Sequence, residues 1–289
     1  MKWYVLGAGS MGSLAAHYLQ QAGWSTLAAN RGAQTRTLVW PQGAASTLTL
    51  PADDNGTIKH LLLATKGPST KAALAPLLPR LAPEGVLIRL QNGMGTLADV
   101  PLPPAWQCWE AITTNAAWRA QERITVVAEN STIMGHPTAS TPTWFTALQT
   151  HWPALQWERD MALQQWLKLT VNALINPLTA LYNCPNGALL TIPEAHERFQ
   201  RLAKECDAIA QRLFPQWPLD TYARAAAVAQ ATADNCSSMR ADMLAQQHTE
   251  IDYITGYILA AAAQRGVVLP EHESVYRDIV ASSLHFAEA

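Results

Sequence analysis

A chain of 289 residues, 49% apolar and 15% charged, has the length for about two cored domains and too much apolar content for disorder. A net charge of −2 and a pI near 6.4 give no electrostatic reason to bind nucleic acid or an anionic membrane. No apolar run approaches the roughly 20 residues that span a bilayer. Cys108, Cys184, Cys206 and Cys236 lie 22 or more residues apart with no C-x-x-C pair, which suits neither a zinc site nor a disulfide scaffold. Free thiols in a cytoplasmic, metal-free protein are expected.

Trp3 to Leu6 is a short apolar run with strand character, too brief and too soon broken by glycine for a signal peptide. It leads into Gly7-Ala8-Gly9-Ser10-Met11-Gly12, a G-x-G-x-x-G turn, and then a helical pattern from Ser13 to about Ala22. Strand, glycine turn and helix in that order are the setting a dinucleotide site requires. The first glycine serves the turn, the second admits a pyrophosphate, and the third lets helix and strand pack closely. Free N–H groups at the helix start then face the phosphates.

Ser25 to Ala29 reads as the next strand and ends at Asn30-Arg31, where an NAD site usually carries an acid for the ribose hydroxyls. An arginine pairs instead with a 2′-phosphate, which favours NADP, though a plain surface arginine also fits. Leu48 to Leu50 suggests a small strand, and Asp53-Asp54-Asn55-Gly56 a turn. Lys59 to Ala64 is a strand whose carboxyl end carries Lys66, at the sheet edge where ligands bind, or a solvated lysine. A helix is expected over Ser69 to Leu78, then a strand over Gly85 to Leu90 ending in Gln91-Asn92-Gly93-Met94-Gly95. Asn92 there suits a cofactor or substrate contact and equally a turn. Short alternating runs from Trp109 to Met134 predict antiparallel strands, Thr141 to Thr150 a helix, and a boundary follows near Arg159.

Twelve of the fifteen glycines precede residue 160, and the remainder is rich in Ala, Leu and Gln with helical spacing. Residues 1–159 are therefore expected to form a Rossmann-type domain and 160–289 an all-α one, with helices over Met161–Tyr182, Pro193–Leu213, Asp220–Ala231, Ser238–Arg265 and Glu271–Phe286. In the first of these, Lys168, Asn172 and Asn176 are spaced four apart and share one face of an otherwise apolar helix. Such groups are costly to bury alone, so they should meet a polar partner in the chain or a ligand. Pro177 is expected to kink the helix beside them. Ser238 reads as a helix N-cap. Glu250 lies among Ile251, Tyr253 and Ile254, where Lys168 is a candidate partner, although a surface carboxylate is the plainer reading of the residues alone.

The glycine turn with Arg31, Lys66, the Gln91-Asn92-Gly93 turn, KLTVNALINPLTALYNCPNG and SSM…HTEID together resemble ketopantoate reductase (2-dehydropantoate 2-reductase) over nearly the whole chain. The resemblance implies NADPH-dependent reduction of 2-dehydropantoate to (R)-pantoate, on the route to pantothenate and coenzyme A. It implies a Rossmann domain followed by a helical one of the 6-phosphogluconate dehydrogenase C-terminal type, with the active site between them. By position it makes Lys168 the general acid and Glu250 the second catalytic residue. It assigns Asn92, Asn172, Asn176, Asn186 and Ser238 to substrate, and residues 7–12, Arg31, Lys66 and Asn92 to NADPH. Departures from the family lie in loops and at the surface, where Trp and Gln are expected to concentrate. A reductase of another 2-keto acid or of an imine, or an NADP-binding sensor, remains open, as does a homodimer.

Overall fold

The computed structural model describes residues 1–136 and 140–284. Contacts divide the chain into two compact units, Met1–Gln91 with Leu97–Ala162, and Asn92–Thr96 with Leu163–Ala289.

The first unit is built on β1 (Lys2–Leu6), whose Trp3 and Val5 enter one core and Tyr4 and Leu6 another. A strand buried on both faces reads as a continuous apolar run, and β1 does. After α1 (Ser10–Gln21), β2 (Ser25–Ala28) pairs parallel on one side of β1, and β5 (Ile58–Leu63) pairs parallel on the other. The order reverses at β1, and the crevice beyond the carboxyl ends of β1 and β5 is the ligand edge of such a sheet. β6 (Leu81–Arg89) and β7 (Ala105–Thr113) continue it in parallel, and β10 (Thr132–Gly135) and β11 (Leu155–Trp157) complete the order β11-β10-β7-β6-β5-β1-β2. α3 (Thr143–His151) places Phe145 and Leu148 in the core shared with α1.

A second sheet has the order β4-β3-β9-β8, from β3 (Gln34–Val39), β4 (Ala45–Leu50), β8 (Ala116–Ala120) and β9 (Arg123–Ala128). The strand expected at Leu48 to Leu50 is only the end of β4, and β3 is a strand that no sequence pattern predicts. Its sequence, QTRTLV, is apolar only at Leu38 and Val39, and the charge of its buried Arg36 is balanced by Glu122 from far along the chain. The antiparallel expectation for Trp109 to Met134 holds for β7 with β10 and β8 with β9, but β7 also pairs parallel with β6 and β9 with β3.

The helix expected over Ser69 to Leu78 is instead a 3₁₀ turn (Gly67–Ser69), the short α2 (Thr70–Leu74) and a second 3₁₀ turn (Leu78–Arg80). Pro76 and Pro79 remove donors and disfavour helical geometry before them. The tryptophans also depart from expectation. Trp3, Trp106, Trp109, Trp152, Trp166 and Trp217 are buried, and only Trp118 is strongly exposed. Trp3, Trp24, Trp109, Trp144 and Trp157 pack ring against ring, so these large residues fill the core rather than decorate loops.

The second unit is helical. α4 (Met161–Leu181) runs unbroken with Pro177 inside it, and α5 (Pro193–Leu213), α6 (Thr221–Ala231), α7 (Ser238–Leu244), α8 (Tyr257–Ala263) and α9 (Pro270–Leu284) share one core with it. Ala173, Leu174 and Leu178 of α4 enter that core with Phe199, Leu202 and Ile209 of α5. The single helix expected over Ser238 to Arg265 is two helices. α7 stops where Gln246 takes φ 54°, with Gln247 N–H donating to Asp242 O and Gln246 N–H to Met243 O. These bonds make a Schellman stop, normally signalled by glycine, and a glutamine in that place hid it. The chain resumes in a π-helical turn, Asp252–Gly256, that runs into α8. The cap of α7 is Ser237, not Ser238: Ser237 Oγ accepts from Arg240 N–H at 3.1 Å. Phe286, the expected end of the last helix, lies outside the described residues. No helix among the described residues is long and apolar enough to cross a membrane.

Candidate active site

In the first unit the G-x-G-x-x-G turn has three different surroundings. Gly7 sits at φ +98°, and a side chain there would meet Thr65 N at 2.5 Å, so the end of β1 lies against the end of β5. A Cβ on Gly12 would fall 2.0 Å from Gly7 O, which is how closely α1 approaches β1. A Cβ on Gly9 would meet nothing within 4 Å. Two glycines are demanded by the protein's own packing, and the middle one keeps space clear in front of the N-terminus of α1, where a pyrophosphate is favoured.

That space belongs to a cleft of about 1040 Å³ lined by Gly7, Ala8, Gly9, Asn30, Arg31, Thr65, Lys66 and Ser69, and also by Gln34, Arg36 and Arg119. Four of its lining residues are basic and none is acidic. The nearest acid after β2, Asp53, is committed elsewhere. Its carboxylate takes a two-point ion pair from Arg80 at 2.7 and 2.8 Å and accepts from Asn30 N–H at 2.5 Å. The Arg80 guanidinium and the backbone N–H groups of Asn30 and Asn55 hold its pKa below the usual carboxylate range. With no acid available for a ribose 2′-hydroxyl and Arg31 exposed at the rim, the cleft fits NADPH. At the carboxyl end of β6, Gln91 Nε2 donates to Thr65 O at 2.7 Å and Thr70 Oγ1 at 2.8 Å, fastening the ends of β5 and β6 together.

In the second unit the polar face of α4 is assembled as its spacing predicts. Lys168 is half-buried, and its Nζ donates to Asn92 Oδ1 at 3.0 Å. One turn on, Asn172 is half-buried, and a further turn on, Asn176 is 7% exposed. Asn92 reaches this face because residues 92–96 pack with the helices. Gly93, at φ +71°, has Tyr253 O within 2.6 Å of where a Cβ would stand, and Met94 N–H donates to that same oxygen at 2.8 Å. The turn thus docks on the π-helical stretch, a distortion frequent at functional sites. Two residues before that stretch lies Glu250, 8% exposed, where a carboxylate is stable only with polar company.

Ser238 and Asn186 take different places. Ser238 is exposed beside the cap, while Ser237 Oγ is bonded to Thr179 Oγ1 of α4 at 2.7 Å, three residues past Asn176. Asn186 is buried and uses Nδ2 on Thr232 Oγ1 at 2.9 Å, its backbone N–H meeting Asn235 O at 3.1 Å, so it braces the segment before α7. Its Oδ1 is buried without a partner among the described residues. Sequence reading missed Gln34, Arg36 and Arg119 as lining of the cofactor cleft. It also missed Asn115, buried after β7 with neither amide atom partnered among the described residues. No motif announces any of them.

The model of the family described as ketopantoate reductase PanE/ApbA matches residues 3–138, and that of ketopantoate reductase PanE/ApbA C terminal matches residues 160–281. The 2-dehydropantoate 2-reductase of Yersinia pestis is 35% identical over 295 residues, covering 96% of this chain and 93% of that protein. In fold, the chain is similar to a PanE/ApbA family ketopantoate reductase from Ralstonia eutropha JMP134, with TM-score 0.88, 19% identity, and coverage of 99% of this chain and 100% of that one. It is also similar to the dimeric ketopantoate reductase from Staphylococcus aureus, with TM-score 0.86, 23% identity and the same coverage. A cationic dinucleotide cleft, a helical unit with a lysine–amide face, and matches over both units have one explanation: the chain belongs to the ketopantoate reductase family of NADPH-dependent oxidoreductases.

Proposed function

We propose that this chain reduces 2-dehydropantoate to (R)-pantoate, with Lys168 as the proton donor. The observation that carries the reading is the α4 face, where the Lys168 ammonium rests on Asn92 Oδ1 at 3.0 Å, and Asn172 and Asn176 follow at one-turn intervals. When bound, NADPH supplies the hydride that the carbonyl carbon receives. Negative charge then collects on the C2 oxygen, and a positioned ammonium stabilises that charge more in the transition state than in the ground state. Lys168 gives a proton to this oxygen, and carbonyl plus hydride plus proton make the hydroxyl. A lysine ammonium is protonated at neutral pH and needs no activation for this. Asn92 orients the ammonium, and the buried Glu250 keeps a negative charge in the same unit to favour its charged form. The amides of Asn172 and Asn176 and the exposed hydroxyl of Ser238 bind the substrate carboxylate and hydroxyl without adding charge. Asn186 acts one step back, holding the segment that leads to Ser238. In the first unit Arg31 and Lys66 take the cofactor phosphates, and residues 7–12 the pyrophosphate.

The same proposal makes the enzyme a cytoplasmic homodimer. A ketopantoate reductase of this fold from Staphylococcus aureus is described as dimeric, and Cys108, Cys184, Cys206 and Cys236 are free thiols. The test follows NADPH consumption with 2-dehydropantoate against a simpler 2-keto acid and an imine. A kcat/KM for 2-dehydropantoate well above the others is expected. Faster turnover of another keto acid or of an imine would overturn the substrate assignment. Cofactor binding without turnover of any of them would make the chain a sensor.

A further inference from the structure

The second sheet brings cations to the cofactor cleft that no motif assigns. Arg119 of β8 pairs with Ile124 of β9, and Ile124 with Leu38 of β3. Paired residues share a face and positions two apart on a strand return to it, so Arg36, Leu38, Ile124 and Arg119 lie on one face. Leu38 and Ile124 are fully buried in the core, and Arg36, 6% exposed, is nearly so. Arg36 is held by Thr35 O at 2.9 Å, Gln34 Oε1 at 2.8 Å and the Glu122 carboxylate, and its Nε has no partner among the described residues. Burial and then the Arg119 charge pull its pKa down. Arg119 is exposed, and its Nε donates to Gln121 O at 2.7 Å, leaving both Nη groups unpartnered among the described residues. Arg31, Arg36 and Arg119 line one cleft with no carboxylate among its lining.

Glu122 balances Arg36, so the charge left on this face is that of Arg119, and its exposed guanidinium gains far more from a phosphate dianion than from a neutral ribose hydroxyl. Resting on the NADPH reading given above, we propose that Arg119, backed by Arg36, reads the adenosine 2′-phosphate together with Arg31. Preference for NADPH is then divided between the end of β2 and the β8–β9 hairpin.

The test is calorimetric titration of the intact protein with adenosine 2′,5′-bisphosphate and adenosine 5′-monophosphate at fixed salt, which needs no turnover. Wild type should prefer the bisphosphate. Arg119→Ala should weaken the bisphosphate by about tenfold and leave the monophosphate unchanged, Arg119→Lys should recover part of the loss, and Arg31→Ala with Arg119→Ala should abolish the preference. A melting curve matching wild type checks that the exposed substitution leaves the fold intact. An Arg119→Ala protein with the wild-type preference overturns the inference and leaves the NADPH reading standing. A wild-type protein with no preference overturns the NADPH reading itself.

Discussion

Alanine at Gly9 and at Gly12 should damage the protein in opposite ways, although the substitution is the same and the positions are three residues apart. At Gly12 the new Cβ stands 2.0 Å from Gly7 O, a full 1 Å inside the closest approach that such atoms tolerate, with Ala64 Cβ at 3.0 Å behind it. Both obstacles lie one residue past the packed strands β1 and β5, so α1 must lift from the sheet. Overpacking of this kind costs up to about 3 kcal/mol, and alanine's better helix propensity returns up to about 1. A net loss of about 2 kcal/mol lowers Tm by about 4–8 °C for a unit of this size. At Gly9 the Cβ meets nothing, and φ −75° with ψ −161° is open to any residue. Folding should be unharmed or improved by up to about 1 kcal/mol, because alanine has less freedom to lose. The methyl group does occupy the approach to the N-terminus of α1, and a displaced pyrophosphate costs about 1–3 kcal/mol, or about 5–150-fold in Kd for NADPH. Thermal melts and NADPH titrations of both variants separate the two effects. The reasoning fails if Gly9→Ala melts as low as Gly12→Ala, or if it binds NADPH as wild type does.

Lys168→Ala should lower kcat by roughly 10²–10⁴-fold with the Kd for NADPH preserved, measured by single-turnover kinetics and titration; near-normal turnover removes Lys168 as proton donor. Ser237→Ala should cost about 1–2 kcal/mol in a denaturant melt, since it removes both the α7 cap and the Thr179 bond. Ser238→Ala should leave that melt unchanged and raise KM for the keto acid, so a reversal of the two results would exchange their roles. Glu205 accepts from His272 Nδ1 at 2.7 Å and from the N–H groups of Glu271 and His272 at 2.8 and 3.0 Å. Burial pushes its pKa up, but these bonds outweigh burial and hold it below the ordinary carboxylate value. Its folded pKa is depressed, so its contribution is complete above the unfolded pKa and is lost as pH falls through the folded one. Glu205→Gln should therefore flatten the decline of Tm in acid, and an unchanged slope contradicts this role.

Local chemistry was legible in the sequence because it depends on neighbours along the chain. The G-x-G-x-x-G run before an apolar helix stated its own geometry, and each of its glycines has the environment that its position demands. The four-residue spacing of Lys168, Asn172 and Asn176 likewise placed them on one helix face, since α4 runs unbroken through all three. The end of α7 was not legible, because its stop relies on Gln246 accepting a left-handed backbone that glycine usually marks. Nor was the cap, since Ser237 and Ser238 differ only in which one meets Thr179.

Tertiary structure decided whatever depends on partners distant in sequence. β3 exists because β4 and β9 pair with it and Glu122 balances Arg36, so its polar residues concealed a strand. Asp53 reads in sequence as a turn residue, and only the folded chain shows the bidentate grip of Arg80 that withdraws it from a cofactor. Asn92 follows a strand of the first unit, yet it packs with the helices and accepts from Lys168, 76 positions further along the chain. A spacing rule sees one element at a time, whereas burial and charge are properties of everything that packs around a group.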